Sequence, residues 1–197
     1  MGQYTKVITF NSAAASTWTN PFDASSDNTS TYAHTASKLV FNGTNVFIAG
    51  WSASRISSYV PSYATVNSIT ASIVVRVHDS GSGKIENIKY AYAYSSSGTP
   101  SSYPYSVGEN GFGTSWTTVS FSLAGNLNSL ITSGLVLYSE YTNRSAKVQY
   151  IDIATIKITV TYTVPDITYT YKDWDGTTLK TQTVEQGTSP TAPSDPV

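Results

Sequence analysis

Apolar and polar positions alternate with a period of two along most of this chain, and the 3.6-residue period of an amphipathic helix is nearly absent. The clearest run sets Ile69, Ala71, Ile73, Val75 and Val77 on one face, with Ser68, Thr70, Ser72, Val74 and Arg76 between them. Ile88, Tyr90, Tyr92 and Tyr94 alternate with Lys89, Ala91 and Ala93, and Val119, Phe121 and Leu123 with Thr118, Ser120 and Ser122. Residues 135–138 are apolar on both sides, which predicts a central strand. The longest run, 148–164, changes phase: Ile151 and Ile153 are odd-numbered, whereas Ile156, Ile158, Val160 and Tyr162 are even. One extra residue near Ala154-Thr155, a β-bulge, would return both sets to one face. Further strands are predicted at 4–10, 38–41 and 46–49, and a short helical turn at 126–131. Gly, Ser and Pro clusters at 80–83 and 95–104 separate the runs as turns. Many short strands with such turns predict an antiparallel β-sandwich or barrel.

Pro165 follows the long final run, and the composition turns charged just beyond it. A proline there cannot extend a central strand, so the boundary is placed between residues 1–164 and 165–197. Past it, Ile167-Thr168-Tyr169-Thr170-Tyr171 leads into Lys172-Asp173-Trp174-Asp175-Gly176 and then Leu179-Lys180. Val184, Gly187 and a Pro-rich end through Pro190, Pro193 and Pro196 complete the stretch. Asp175-Gly176 between two alternating runs is a hairpin signal. The pattern resembles the first half of the Listeria–Bacteroides repeat, the B-type repeat of internalin-like surface proteins. That resemblance covers the final sixth of the chain and implies an extracellular, modular binding protein.

A second resemblance covers most of residues 1–164. Trp18-Thr19-Asn20-Pro21-Phe22-Asp23, followed by Tyr32-Ala33, is similar to the opening of jelly-roll domains in phage tail proteins and secreted bacterial proteins. The segment from Val60-Pro61 to Ile69 and the closing run from Asp152 to Tyr162 fit the same pattern. It implies a jelly-roll β-sandwich, and it implies fold more than function.

Composition narrows the partners. The 197 residues contain no cysteine, which excludes disulfides and thiolate metal sites together. Charged residues make up 12% with a formal net charge of −1, and no basic tract invites nucleic acid. Nothing approaches the ~18-residue apolar run that a membrane span needs. No apolar leader or cleavage site precedes the first strand, so no signal peptide is read. An extracellular module without one fits an excised fragment or a virion protein released by lysis, and the second is the reading adopted.

Candidate chemistry is sparse. His34 and His78 stand beside no nucleophile motif, and no Gly-x-Ser-x-Gly, His-Glu-x-x-His or Walker pattern is present. Asp79 and Glu86 are the one carboxylate pair worth testing for glycoside cleavage, and the chain is read as a non-enzyme. Asp23, Asp27 and Asn28 form an oxygen-rich loop that suits either an Asx turn or a structural calcium. The jelly-roll resemblance makes Asp152 the far ligand of such a calcium; no other cofactor is expected. Aromatic rings on loops suit sugar stacking, which singles out Tyr103 and Tyr105 as a pair, with Trp116 and Tyr63 beside them. Trp18 and Trp51 are assigned to the core.

The expected function is a non-catalytic binding or structural module of a phage virion or bacterial surface protein, contacting cell-envelope glycan. Other virion or surface subunits are the alternative partners, through an oligomer with no small ligand. A fragment of an all-β glycan-degrading enzyme is the third reading.

Overall fold

A computed structural model describes residues 1–26, 28–78, 85–95, 102–107, 112–144 and 149–194, with the backbone alone at 85–87. The chain lays down β1 (Gly2–Thr9), β2 (Ser12–Ala14), β3 (Trp18–Thr19), a 3₁₀ turn (Pro21–Ser25), β4 (Ala33–Thr35) and β5 (Thr44–Trp51). After α1 (Ala53–Ser57) come β6 (Thr65–Val77), β7 (Ile85–Ala93), β8 (Tyr105–Val107) and β9 (Thr117–Leu123). Then follow α2 (Ser129–Ser133), β10 (Leu135–Asn143), β11 (Ile151–Val164), β12 (Asp166–Lys172) and β13 (Thr178–Glu185). The protein is all-β, and every strand pair is antiparallel.

One sheet has the order β3-β4-β11-β6-β9, with β1 also on β11; the other runs β2-β5-β10-β7-β8. Valine, isoleucine, threonine and tyrosine suit the half-buried pleat of such strands. Ile69, Ala71, Ile73 and Val75 of β6 share one apolar cluster with Phe47 and Ala49 of β5, Leu135 and Leu137 of β10, and Ile88 and Tyr90 of β7. The two sheets therefore close on a common core in a sandwich-like arrangement. Trp18 and Trp51 are buried in it, their indole N–H groups donating to Val46 O at 2.9 Å and Ile8 O at 3.0 Å. These bonds satisfy the one polar atom of each ring, which is what allows it inside.

The phase change in β11 is a bulge, since its register against β6 shifts between Ile153 and Thr155. Ile151 and Ile153 before it, and Ile156 and Ile158 after it, thus all join the core, while Asp152 and Thr155 take outer positions. Two expectations change. The strand predicted at 38–41 shrinks to a single bridge, Leu39 to Gln149. A helical turn, α1, stands where no periodicity announced one; Ser52 caps it by accepting from the Arg55 N–H at 3.2 Å. The predicted turn at 126–131 becomes α2, ended by Gly134 at φ +77°, where a Cβ would lie 2.3 Å from Trp51 O.

The two larger sheets use no residue beyond Val164; β12 and β13 pair only with each other. Their turn is held by N–H bonds from Trp174 to Asp173 Oδ1, Gly176 to Asp173 O and Thr177 to Asp175 Oδ1, at 2.8, 3.0 and 2.8 Å. The Thr177 bond holds the Asp175 carboxyl below its ordinary pKa. The hairpin meets the sandwich through Tyr4, whose hydroxyl donates to Glu185 at 2.6 Å, and through the Met1 amino group against Asp166.

Candidate functional site

The outer face of the six-stranded sheet carries a charge cluster built by cross-strand register. Asp152 on β11 stands opposite His34 of β4 on one side and Arg76 of β6 on the other. Residues so paired bring their side chains together on one face of the sheet. Asp152 is fully buried, and its Oδ2 accepts from Arg76 Nε at 2.9 Å and from His78 Nδ1 at 2.9 Å. A carboxylate facing Nδ1 fixes the proton on that nitrogen and leaves Nε2 as the outer one. Oδ1 is buried with no donor among the described residues. The cost of desolvating this carboxylate is therefore offset through one oxygen alone.

Aromatic rings wall the cluster. The Arg76 guanidinium lies 4.3 Å from the Trp116 ring centroid and 5.1 Å from that of Tyr32. Tyr32 and Trp116 meet at 5.6 Å in a T-shaped pair, and Tyr32 reaches His78 at 6.2 Å. Tyr150 stands edge-on to both His34 and His78, at 5.9 and 6.0 Å, with the Lys38 ammonium 5.3 Å over its ring. The 3₁₀ turn and its following loop cross β11 just beyond, where Thr155 Oγ1 donates to Ser26 O at 2.9 Å. Arg76 is a quarter exposed and His78 rather more, so both reach solvent from a buried acid.

Of the four residues expected to hold calcium, Asp23, Asn28 and Asp152 lie among the described residues. Both partners of Asp152 Oδ2 are N–H donors, which a hard cation would have to displace. Asn28 Oδ1 accepts from the backbone N–H groups of Ser30 and Thr31, at 2.9 and 3.0 Å, as an Asx turn does. Asp23 sits in the 3₁₀ turn, where its carbonyl accepts from Ser26; Asp27 lies outside the described residues. Among the described residues no three His, Asp or Glu side chains are placed to hold a metal ion together. Asp79 and the Glu86 side chain, the carboxylate pair considered for cleavage, also lie outside them.

Tyr103 and Tyr105, expected as a sugar-stacking pair, lie on opposite sides of the sheet. Tyr105 opens β8 and stacks on Tyr90 and Tyr92, at 5.2 and 5.7 Å, on the core side of the sheet. Tyr103 precedes the strand and packs with Ala91, Val136 and Tyr138 on the opposite side. Spacing of two places residues on one face only inside a strand, and β8 begins at Tyr105. Tyr90 continues the stack onto Phe121 across the core at 3.8 Å. Burial raises the phenols of Tyr90 and Tyr103, and pushes Tyr94, which donates to Ala124 O at 3.0 Å, up to about 12. Tyr63 braces the hairpin: a Cβ on Gly187, at φ +92°, would lie 2.1 Å from its hydroxyl.

Of the residues expected to bind ligand, only Trp116 joins the cluster; Asp152 joins it in another role. Tyr32, His34, Lys38, Arg76, His78 and Tyr150 were not anticipated. A signal existed, since Arg76 is the one cation in β6 and Asp152 the one acid in β11. No protein-family model and no curated protein matches the chain.

Proposed function

We propose that the chain is a non-catalytic glycan-binding module of a virion or bacterial surface protein, and that the Asp152 cluster is its binding face. One observation carries this reading: a buried acid aims an arginine and a histidine outward between aromatic walls. Sugars are held by side chains of this kind, with directional hydrogen bonds set beside ring surfaces. The proposed fold within the all-β class is a jelly-roll sandwich over residues 1–164. Residues 165–197 are proposed as a partial Listeria–Bacteroides-type repeat that presents or tethers it. Extracellular or virion localisation follows from the same reading.

A glycan array and a whole-cell binding screen of the intact chain, with and without calcium, test it. Specific binding that Trp116→Ala and Arg76→Met both abolish supports the face named here. Binding that survives both relocates the site, and absence of all binding favours an architectural subunit. The domain division has its own test: a chain ending at Pro165 is expected to keep cooperative thermal unfolding. Loss of cooperativity would refute that boundary.

The Asp152–His78 pair also has the buried acid and orienting bond of a general base. Among the described residues no hydroxyl hydrogen-bonds His78, and the non-catalytic reading is the one proposed.

A further inference from the structure

We infer that the ligand of this face carries an anionic group, a carboxylate or a phosphate, received by the Arg76 guanidinium. The inference rests on the glycan-binding reading and names the class of glycan.

A neutral sugar is held by an open ring face and by groups that both give and accept hydrogen bonds. This face lacks the first, because its rings are occupied, although the Tyr32 and Tyr150 hydroxyls can both give and accept. Trp116 and Tyr32 are engaged with the Arg76 guanidinium, and Tyr150 with Lys38 and the two imidazoles. The rings thus serve to hold cations and imidazoles in place. Among the described residues the cluster's one carboxylate is wholly buried, so it presents no acceptor to a sugar hydroxyl.

What reaches solvent from the buried acid is the Arg76 guanidinium. Arg76 spends Nε on Asp152, and its terminal nitrogens have no hydrogen-bond partner among the described residues. Those nitrogens form the fork that matches two oxygens of a carboxylate or phosphate. Two rings and a buried acid fix the fork's plane beforehand, so little rotamer freedom is lost when an anion docks. With its proton on Nδ1, the neutral His78 ring offers Nε2 as an acceptor, so the Arg76 fork is the group that receives the anion.

The test is equilibrium binding of the full chain to three polymers: neutral dextran, polygalacturonate and polyglycerol phosphate. Both acidic polymers are expected to bind at least tenfold tighter than dextran, and to weaken steeply as salt rises. Their ranking tells carboxylate from phosphate. Arg76→Met is expected to lower acidic binding roughly ten- to hundredfold, as the loss of a charged bidentate contact does. Salt dependence of the unaltered chain serves as the readout should that variant fail to fold. Equal, salt-insensitive binding of neutral and acidic polymers overturns the inference and leaves the glycan reading standing. Binding to none of the three, with no hit on the array, removes both.

Discussion

Tyr90, Tyr92, Tyr105 and Phe121 touch one another, whereas Tyr32, Trp116 and Tyr150 touch Arg76, His78, His34 and Lys38. Both groups are aromatic clusters on the same sandwich. In the first, rings stack near parallel at the edge between the sheets, and their area is spent on cohesion. In the second, rings meet edge-on or lie against cations, and their area is spent on aim. What a ring does is set by its neighbours more than by its exposure. Tyr105 is 46% exposed and still belongs to the packing cluster.

Four experiments press on that distinction. Phe121→Ala removes the ring beneath Tyr90 and should cost about 3 kcal/mol in urea unfolding, the scale of a buried phenylalanine truncation. Affinity of the remaining folded protein for acidic polymer should not change; a loss would mean the two clusters are coupled. Asp152→Ala strips the acid from Arg76 and His78. Removing one partner of a wholly buried pair costs about 3–5 kcal/mol, and about 2 kcal/mol is expected here because Arg76 reaches water. Binding should fall with it, and a variant that binds normally would show that the aim of Arg76 is not set by Asp152.

Arg76→Lys keeps the charge but loses the fork and the stacking. Stability should move by less than about 1 kcal/mol, while acidic binding drops roughly tenfold; unchanged binding would reduce the site to a point charge. The smallest effect is alkaline. Burial lifts the Tyr94 phenol to about 12, so its neutral form is favoured on folding. That contribution is complete below the unfolded value near 10 and is lost as pH rises from about 10 to about 12. Tyr94→Phe should flatten the stability curve in that window, and an identical curve would assign the alkaline loss to other groups.

The strands were legible because burial on one face imposes a period of two, and even the bulge at Ala154 showed as a change of phase. α1 was not, since five residues capped by one serine leave no periodicity to read. The site was legible only in part. Outward positions carry no pattern of their own, so Tyr32, His78 and Tyr150 looked like ordinary loop and edge residues until register brought them together. Asp152 and Arg76 were the readable pair, two opposite charges in two long apolar strands. Tyr103 and Tyr105 read as exposed because a loop of Ser, Gly and Pro offers little core, yet Tyr105 opens β8 and stacks on Tyr90 and Tyr92 while Tyr103 packs by Tyr138.

Asp152 lies at the start of β11 and Pro165 directly follows its end, which makes this strand a load line. A ligand tethered at the cluster and a pull on the hairpin act at opposite ends of one central strand. Tension would strain the ladders to β1 and β6, whose bonds lie across the strand, many rungs at once. The hairpin is geometrically weaker, because Asp166 and Glu185 face each other at its open end and its rungs part singly. Pulled between ligand and tail, the protein would let out hairpin first and keep its grip, and a force trace would record a low step before a high one.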